Sequence, residues 1–540
     1  MTSTSSRPSV SVDGTRLYVA TMTETAGPDA MGRTTGDLAR DGLTGTRWIL
    51  SRGGIMMLAH ASTSLSLLVV TPWLVAKLGP AGFGVWITIL GAATIAALVD
   101  LGAGTASARL TARYMATGGR DRIPGLLSTA LAVQAGQFLL VALIGWLVAP
   151  AAADLISPEE LEAAATGTLR LALLGALIGR LRIVFEGILI GLPRLPLLAG
   201  LRMGRSAIFV VLVFAFAHEG LEAVATAYLL AEAIGLLAGA AATRRTFGSR
   251  LLALREVSRA SFSELFTYGV PRQAGVAAWT FAIRYPTIVT SVLVTAAAAG
   301  AVGAAALACS GLATLCVQGL TPLTPALTTM AAHEGQPFAG LAQRLEDLLA
   351  GVAVGAAAAF GAICAGAAPI AVAWVGDELP NLAPAMRCLA PGVAAWVVLS
   401  AAQIGGQAIG TPGIEARIAL RGVLGTVAAA SAGAALFDGP GAAAGTSAGL
   451  IAWTILYFNR LGKVWPTLKR SRCWLPLALA VAPAVVVAFV GERVFETAEF
   501  GRAGAAVAAT TQCAVFLALF ALSASTARRH GAFRLSIDTA

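Results

Sequence analysis

From Trp48 onward the chain is a succession of long apolar runs separated by short polar breaks. Each run holds roughly 20 nearly uncharged residues, and at about 1.5 Å of rise per residue that crosses a hydrocarbon layer of about 30 Å. The first six runs cover 51–78, 83–104, 124–150, 166–191, 197–217 and 222–242. After a polar break, eight more cover 268–295, 300–330, 348–375, 383–408, 414–437, 441–458, 474–492 and 502–525. The pattern predicts an all-α membrane protein with about 14 transmembrane helices.

Lys and Arg should collect on alternate connections if these runs span a membrane. One set of connections carries Arg109, Arg113, Arg120 and Arg122, then Arg194, Arg244, Arg245, Arg250, Arg255, Arg259, Arg417, Arg460, Lys463, Lys469, Arg470, Arg472, Arg528, Arg529 and Arg534. The other is acidic, with Asp154, Glu159, Glu160, Glu162, Glu219, Asp377, Glu378, Asp438, Glu492, Glu496 and Glu499. Both termini are therefore expected in the cytoplasm, and the net charge of +10 reports topology and contact with anionic lipid, not a nucleic-acid partner. The break after residue 242 divides the chain, and weak self-similarity between 84–118 and 303–335 suggests two pseudo-symmetric six-helix lobes. The expected organisation is a disordered cytoplasmic tail at 1–47, an N-lobe at 48–242, a basic linker at 243–266, a C-lobe at 267–461, two extra C-terminal helices at 462–527 and a tail at 528–540.

Composition agrees: 57% hydrophobic and 12% charged residues leave too little charge for a water-facing surface. The six cysteines are scattered without metal-ligand spacing and read as small core residues. No phosphate-binding Gly-Lys-Ser/Thr loop, nucleophile elbow or metal constellation occurs, so neither a cofactor nor an ATP-driven step is expected. The acidic loop at Asp154, Glu159 and Glu160 is the one candidate for enzymatic chemistry, and the chain is read as a non-enzyme.

The stretch 78–122 organises the rest. It opens on a tight turn at Gly79, Pro80, Gly82 and Gly84, crosses once, and closes on Asp100, read as a cap or a partner of nearby arginines. Arg109 and Arg113 follow four apart, on a helical face suited to a lipid surface. This Leu78-Gly79-Pro80-Ala81-Gly82-Phe83-Gly84-Val85-Trp86 turn, apolar helix, Asp100-Leu101-Gly102-Ala103-Gly104 exit and basic tail resemble the second helix of Wzx-type polysaccharide-lipid flippases, a branch of the multidrug/oligosaccharidyl-lipid/polysaccharide exporter superfamily. The resemblance implies transfer of a polyprenyl-pyrophosphate-linked glycan across the bacterial inner membrane by alternating access, beside polysaccharide polymerase machinery.

Charges inside apolar runs carry the site readings, since each costs about 2.5–3.5 kcal/mol at mid-helix. Arg182 and Glu186 are four apart and can pair, whereas Arg180, roughly 18 Å deep, faces elsewhere and reads as a free cation in a watery cavity. Both arginines also admit a structural role. Arg272, Gln273 and Arg284 lie in the seventh run, with Arg52 at the matching place in the first; Arg52 and Arg272 are near enough to the boundary to snorkel. The resemblance implies a cation-lined cavity for the pyrophosphate, with Arg272 and Arg284 suitably placed. It also implies an acid in the seventh helix, where this chain has Arg284-Tyr285-Pro286-Thr287. Glu232 has no basic residue within a turn and reads as a protonatable coupling acid, with Glu186 second. His60 reads as a polar helix contact, and Gln134, Gln137, Gln403 and Gln407 as sugar-binding amides or interhelical contacts. The competing function is a cation- or proton-coupled drug antiporter of the same architecture; a peptidoglycan-precursor flippase is the third.

Overall fold

The computed structural model describes residues 11–12, 15–16, 46–98, 102–192, 194–247, 257–320, 327, 339–408, 412–464, 471–496 and 501–529. The expected terminal tails lie almost wholly outside these, as do Asp100, Arg250 and Arg255. Fourteen helices follow one another: α1 (Thr46–Ala96), α2 (Ala103–Ala116), α3 (Ile123–Ile156), α4 (Glu162–Gly191), α5 (Leu195–Phe216), α6 (Leu221–Phe247), α7 (Arg259–Leu293), α8 (Ala296–Leu320), α9 (Ala339–Ala365), α10 (Ala367–Trp374), α11 (Leu382–Ala408), α12 (Pro412–Val464), α13 (Ser471–Glu496) and α14 (Arg502–Arg529). Three single turns of 3-10 helix, Arg120–Arg122, Glu159–Leu161 and Ala217–Glu219, and a two-residue antiparallel pairing of Ser11–Val12 with Thr15–Arg16 are the other described elements. In hydrocarbon the backbone has no water to bond, so helices that satisfy their own N–H and C=O groups are what the apolar runs can form. Local signals set their starts, with Pro in the first turn of α3 and α5 and the Ser258 side chain accepting from the Ser261 N–H at 3.0 Å ahead of α7.

Eleven helices among the described residues are long and apolar enough to cross a membrane. The difference from 14 has a physical origin. α4 carries Arg170, Arg180, Arg182 and Glu186 and is too polar to qualify, while α1 and α12 each contain a break of non-helical backbone. In α1 the break is Gly79, at φ 71° and ψ 169°, a conformation open to glycine and costly for other residues. The two arms run in opposite directions: along α8, Gly300 and Gly303 meet Gly84 and Ile87 of the second arm, whereas Gly311 and Gly319 meet Ser64 and Met57 of the first. In α12 the break lies at Phe437 and Asp438, and the arms close face to face through Gly433 on Gly441, Gly445 on Ala429 and Gly449 on Thr426. The run expected over 348–375 divides at Gly366 into α9 and α10.

α1 to α6 pack as one group, led by α4 on α6 and α1 on α5; α7 to α12 pack as a second, led by α12 on α7 and on α11. α13 and α14 lean on α9 and α10, and Arg387 of α11 meets Glu492 of α13 at 3.0 Å. The groups join where α1 packs on α8 and on α7. α2 seats its apolar face, including Ala106, Leu110 and Tyr114, against α4 and leaves Arg109 and Arg113 exposed. The Trp86 side chain is buried on the second arm of α1 and Trp453 in α12.

At Gly84 a side chain would run into the Ala296 carbonyl, whereas Gly200 on α5 faces open space. Gly84→Leu is expected to destabilise the detergent-solubilised protein by about 1–3 kcal/mol through overpacking. In the same thermal unfolding experiment Gly200→Ala should match the parent chain or exceed it slightly, because alanine favours the helix.

Candidate functional site

Five charged side chains on three helices form one alternating chain. Arg202 on α5 donates through Nε to Glu186 Oε2 on α4 at 2.8 Å, and Glu186 also pairs with Arg182 one turn away. Arg182 Nε donates to Glu232 Oε2 on α6 at 2.8 Å, and Arg205 Nη1 donates to Glu232 Oε1 at 2.9 Å. Both ends grip the first arm of α1: Arg202 Nη1 donates to His60 Nε2 at 3.0 Å, and Arg205 Nη2 to Thr63 Oγ1 at 3.2 Å. Gly179 and Gly235 leave the room this needs, since a Cβ at either would stand 3.0 Å from Glu232 Oε2 or 2.9 Å from Arg182 Cδ. With side chains of Glu186 and Glu232 only 5% exposed, neither carboxylate meets water, and the alternation supplies the compensation that burial demands.

This corrects two expectations. Glu232 is not an isolated acid; two guanidiniums hold it, both from other helices. Arg180 is engaged as well, so the reading of a free cation does not hold. With Gln134 and Gln137 it lines a cavity of about 10 Å³, room for a single water, whose other walls are apolar. Among the described residues, Gln134 Nε2 and Gln137 Oε1 are buried there without a hydrogen-bond partner. His60 is the helix contact its sequence position suggests, and Gln407 donates to Glu415 at 3.2 Å. Arg202 and Arg205, partners that complete the chain, escaped sequence reasoning; the signal available was two arginines three apart inside the apolar run 197–217.

The other candidates fall where the two groups of helices meet. Arg284 on α7 is partly buried, its stem crossing Gly91 of α1, where a Cβ would lie 3.7 Å away. The ion pairs among the described residues give it no carboxylate. Its electrostatic neighbour is the hydroxyl of Tyr228 on α6, which Arg180, Arg182, Arg205 and Glu232 also reach. Tyr228 is wedged edge-on to Trp86 and Phe209, at 6.4 and 6.2 Å between ring centres. Gln273 is buried with its Nε2 unpartnered among the described residues, while the side chains of Arg52 and Arg272 lie outside them. Further along α7 towards its start, Gly102 sits on the Gly269 carbonyl and Tyr114 Oη donates to Glu264 Oε2 at 2.8 Å. Among the described residues no group of three or more His, Cys, Asp or Glu is placed to hold a metal ion.

The sequence pattern of the family described as "Polysaccharide biosynthesis protein" matches residues 49–324, half of the chain and all of the ionic cluster. The chain belongs to this family. Solved structures add the fold. The chain is similar to the lipid II flippase MurJ in an inward closed conformation, with a TM-score of 0.65, 12% identity, and 88% of this chain and 99% of that one covered. It is also similar to a multidrug resistance MATE family transporter of the MOP superfamily in an inward-facing conformation, with a TM-score of 0.60, 18% identity and 76% and 100% covered. A third likeness is to a MOP superfamily transporter from Pyrococcus furiosus Vc1, reported with a reverse-polarity binding pocket, with a TM-score of 0.56, 20% identity and 77% and 95% covered. At these identities the likeness is one of fold, and it places this family member on the architecture of membrane transporters. No curated protein matches the chain by sequence.

Glu232→Ala leaves Arg205 without a carboxylate in the core and Arg182 with Glu186 alone, and is expected to lower unfolding stability by about 3–5 kcal/mol in detergent, with the exposed Glu378→Ala unchanged. A second outcome concerns pH. Burial first, then the hydrogen bond and charge of Glu264, hold the Tyr114 phenol above its ordinary value near 10. Its contribution is thus fully present below that ordinary value and is lost as pH rises through the raised one. Tyr114→Phe should cost about 1.5 kcal/mol at pH 7, unchanged at pH 9, and the difference should vanish only in strong alkali.

Proposed function

We propose that this family member is a flippase that carries a polyprenyl-pyrophosphate-linked oligosaccharide from the cytoplasmic to the outer leaflet of the bacterial inner membrane, by alternating access. One observation carries the reading: where the two groups of helices meet, Arg284 stands without a carboxylate partner among the described residues, while both buried acids of α4 and α6 are spent on the arginine chain. The chain of three arginines and two glutamates itself keeps one positive charge, so the whole region favours an anion. A guanidinium fork matches the oxygens of a pyrophosphate, and little water competes for it there.

In this reading Arg284 holds the pyrophosphate, and Arg272 and Arg52 are the further cations proposed for it. Gln273, with a buried donor to spare, and the Arg180, Gln134 and Gln137 group supply hydrogen bonds to the glycan. The arginine-rich connections face the cytoplasm, and so do both termini. Drug antiport on the same fold calls for an acid free to exchange a proton for a cation; Glu186 and Glu232 are each held by two arginines, which argues against it.

The test is leaflet exchange of a fluorescent polyprenyl-pyrophosphate oligosaccharide in liposomes, read with a quencher that does not cross the bilayer. The parent chain should exchange the lipid, and Arg284→Ala should slow exchange about tenfold or more, in line with loss of a charge-assisted contact. Full exchange by Arg284→Ala would remove that residue from the site. A folded parent chain that exchanges nothing, yet exports small cations, would favour the antiporter.

A further inference from the structure

The seam between the second arm of α1 and α7 is closed at two levels and open between them. At one level Gly91 rests on the Arg284 stem; at the other Gly102 rests on the Gly269 carbonyl. Between them α7 offers Ala274, Ala277, Ala278 and, at the edge, Phe281 to Ile95 and Leu98, and the short alanines leave a cavity of about 370 Å³ lined mostly by apolar surface. That size falls within the roughly 300–1,000 Å³ of sites that take small ligands. The third wall is the first arm of α12, whose Leu420 lines the cavity and is 64% exposed. The mouth therefore opens sideways between helices, towards the bilayer.

Cavity and cation share one stripe. Positions 91, 95 and 98 recur at helical spacing on one face of the α1 arm, and 277, 281 and 284 do so on α7. Phe281, at the edge of the cavity, is three residues from Arg284, about 4.5 Å along the axis. Arg284 stands outside the lining but one helical turn from its Phe281 edge, and a slot walled by apolar side chains of three helices within a turn of an arginine suits an anionic head with a single hydrocarbon chain attached directly to it.

The geometry points to this cavity as the seat of the first isoprene units of the substrate's prenyl chain, with the pyrophosphate at Arg284 and the remainder of the chain leaving past Leu420 into the bilayer. The inference rests on the flippase reading and adds to it the route of the lipid tail.

The test uses the full chain in liposomes and a polyprenyl pyrophosphate whose first isoprene unit carries a diazirine. After illumination, mass spectrometry should find adducts on Ile95, Ala277 or Phe281, and excess unlabelled polyprenyl pyrophosphate should abolish them. Ala277→Trp fills the slot while leaving Arg284 in place and should reduce the adducts about tenfold. If that variant does not yield monodisperse protein, the position of the adducts on the parent chain decides. Adducts confined to other helices overturn the proposal. So does labelling of the same residues by a phosphatidylglycerol with a diazirine in its acyl chain that unlabelled prenyl pyrophosphate does not displace, the mark of an ordinary lipid crevice. Leaflet exchange in the same liposomes separates the two levels: exchange with adducts elsewhere overturns the cavity and keeps the flippase, whereas neither exchange nor adducts overturns both.

Discussion

A charge in hydrocarbon has to be compensated, and the alternation Arg202, Glu186, Arg182, Glu232, Arg205 is how α4, α5 and α6 meet that requirement. Much of the first helical group follows from it. The carboxylates fix the spacing of α4 against α5 and α6, the gaps at Gly179 and Gly235 exist because side chains there would displace it, and the first arm of α1 is tied on at His60 and Thr63. Taking out one glutamate leaves an end arginine, Arg202 or Arg205, for which the surrounding leucines and alanines have no answer. Arg284, by contrast, has no carboxylate among the ion pairs of the described residues.

Elsewhere cohesion comes from closeness. Lipid tails are as apolar as leucine, so helices gain little by hiding leucine from them, and backbone approach through small residues takes over. The seam of α1 with α8 is built this way at Gly84, Gly300 and Gly303, and the α12 hairpin at Gly433, Gly441 and Gly449. Where the same economy of side chain faces a gap instead of a backbone, as along Ala274, Ala277 and Ala278, it leaves an apolar cavity beside the unpartnered arginine.

The apolar runs were legible from sequence because crossing hydrocarbon is a property of one segment at a time. The reversals were legible too, since Gly79-Pro80 and Asp438-Gly439-Pro440 carry turn chemistry that a continuous helix rejects. What sequence spacing missed is whatever belongs to two helices at once. Spacing along a helix finds Arg182 with Glu186, but the arginines on Glu232 come from 50 and 27 residues away, and only packing brings them there. The same limit hid the engagement of Arg180 and the break at Gly366, where one apolar run became two helices.

Because the ionic chain ends on the first arm of α1, the polar side-chain bonds of that arm run to its own group of helices. Its contacts with α8 at Gly311 and Gly319 are glycine faces, and Trp374 adds a single hydrogen bond to the Leu68 carbonyl at 2.8 Å. The first arm of α1 is thereby held in two different ways, by directed polar bonds to its own group and by close glycine packing across the border.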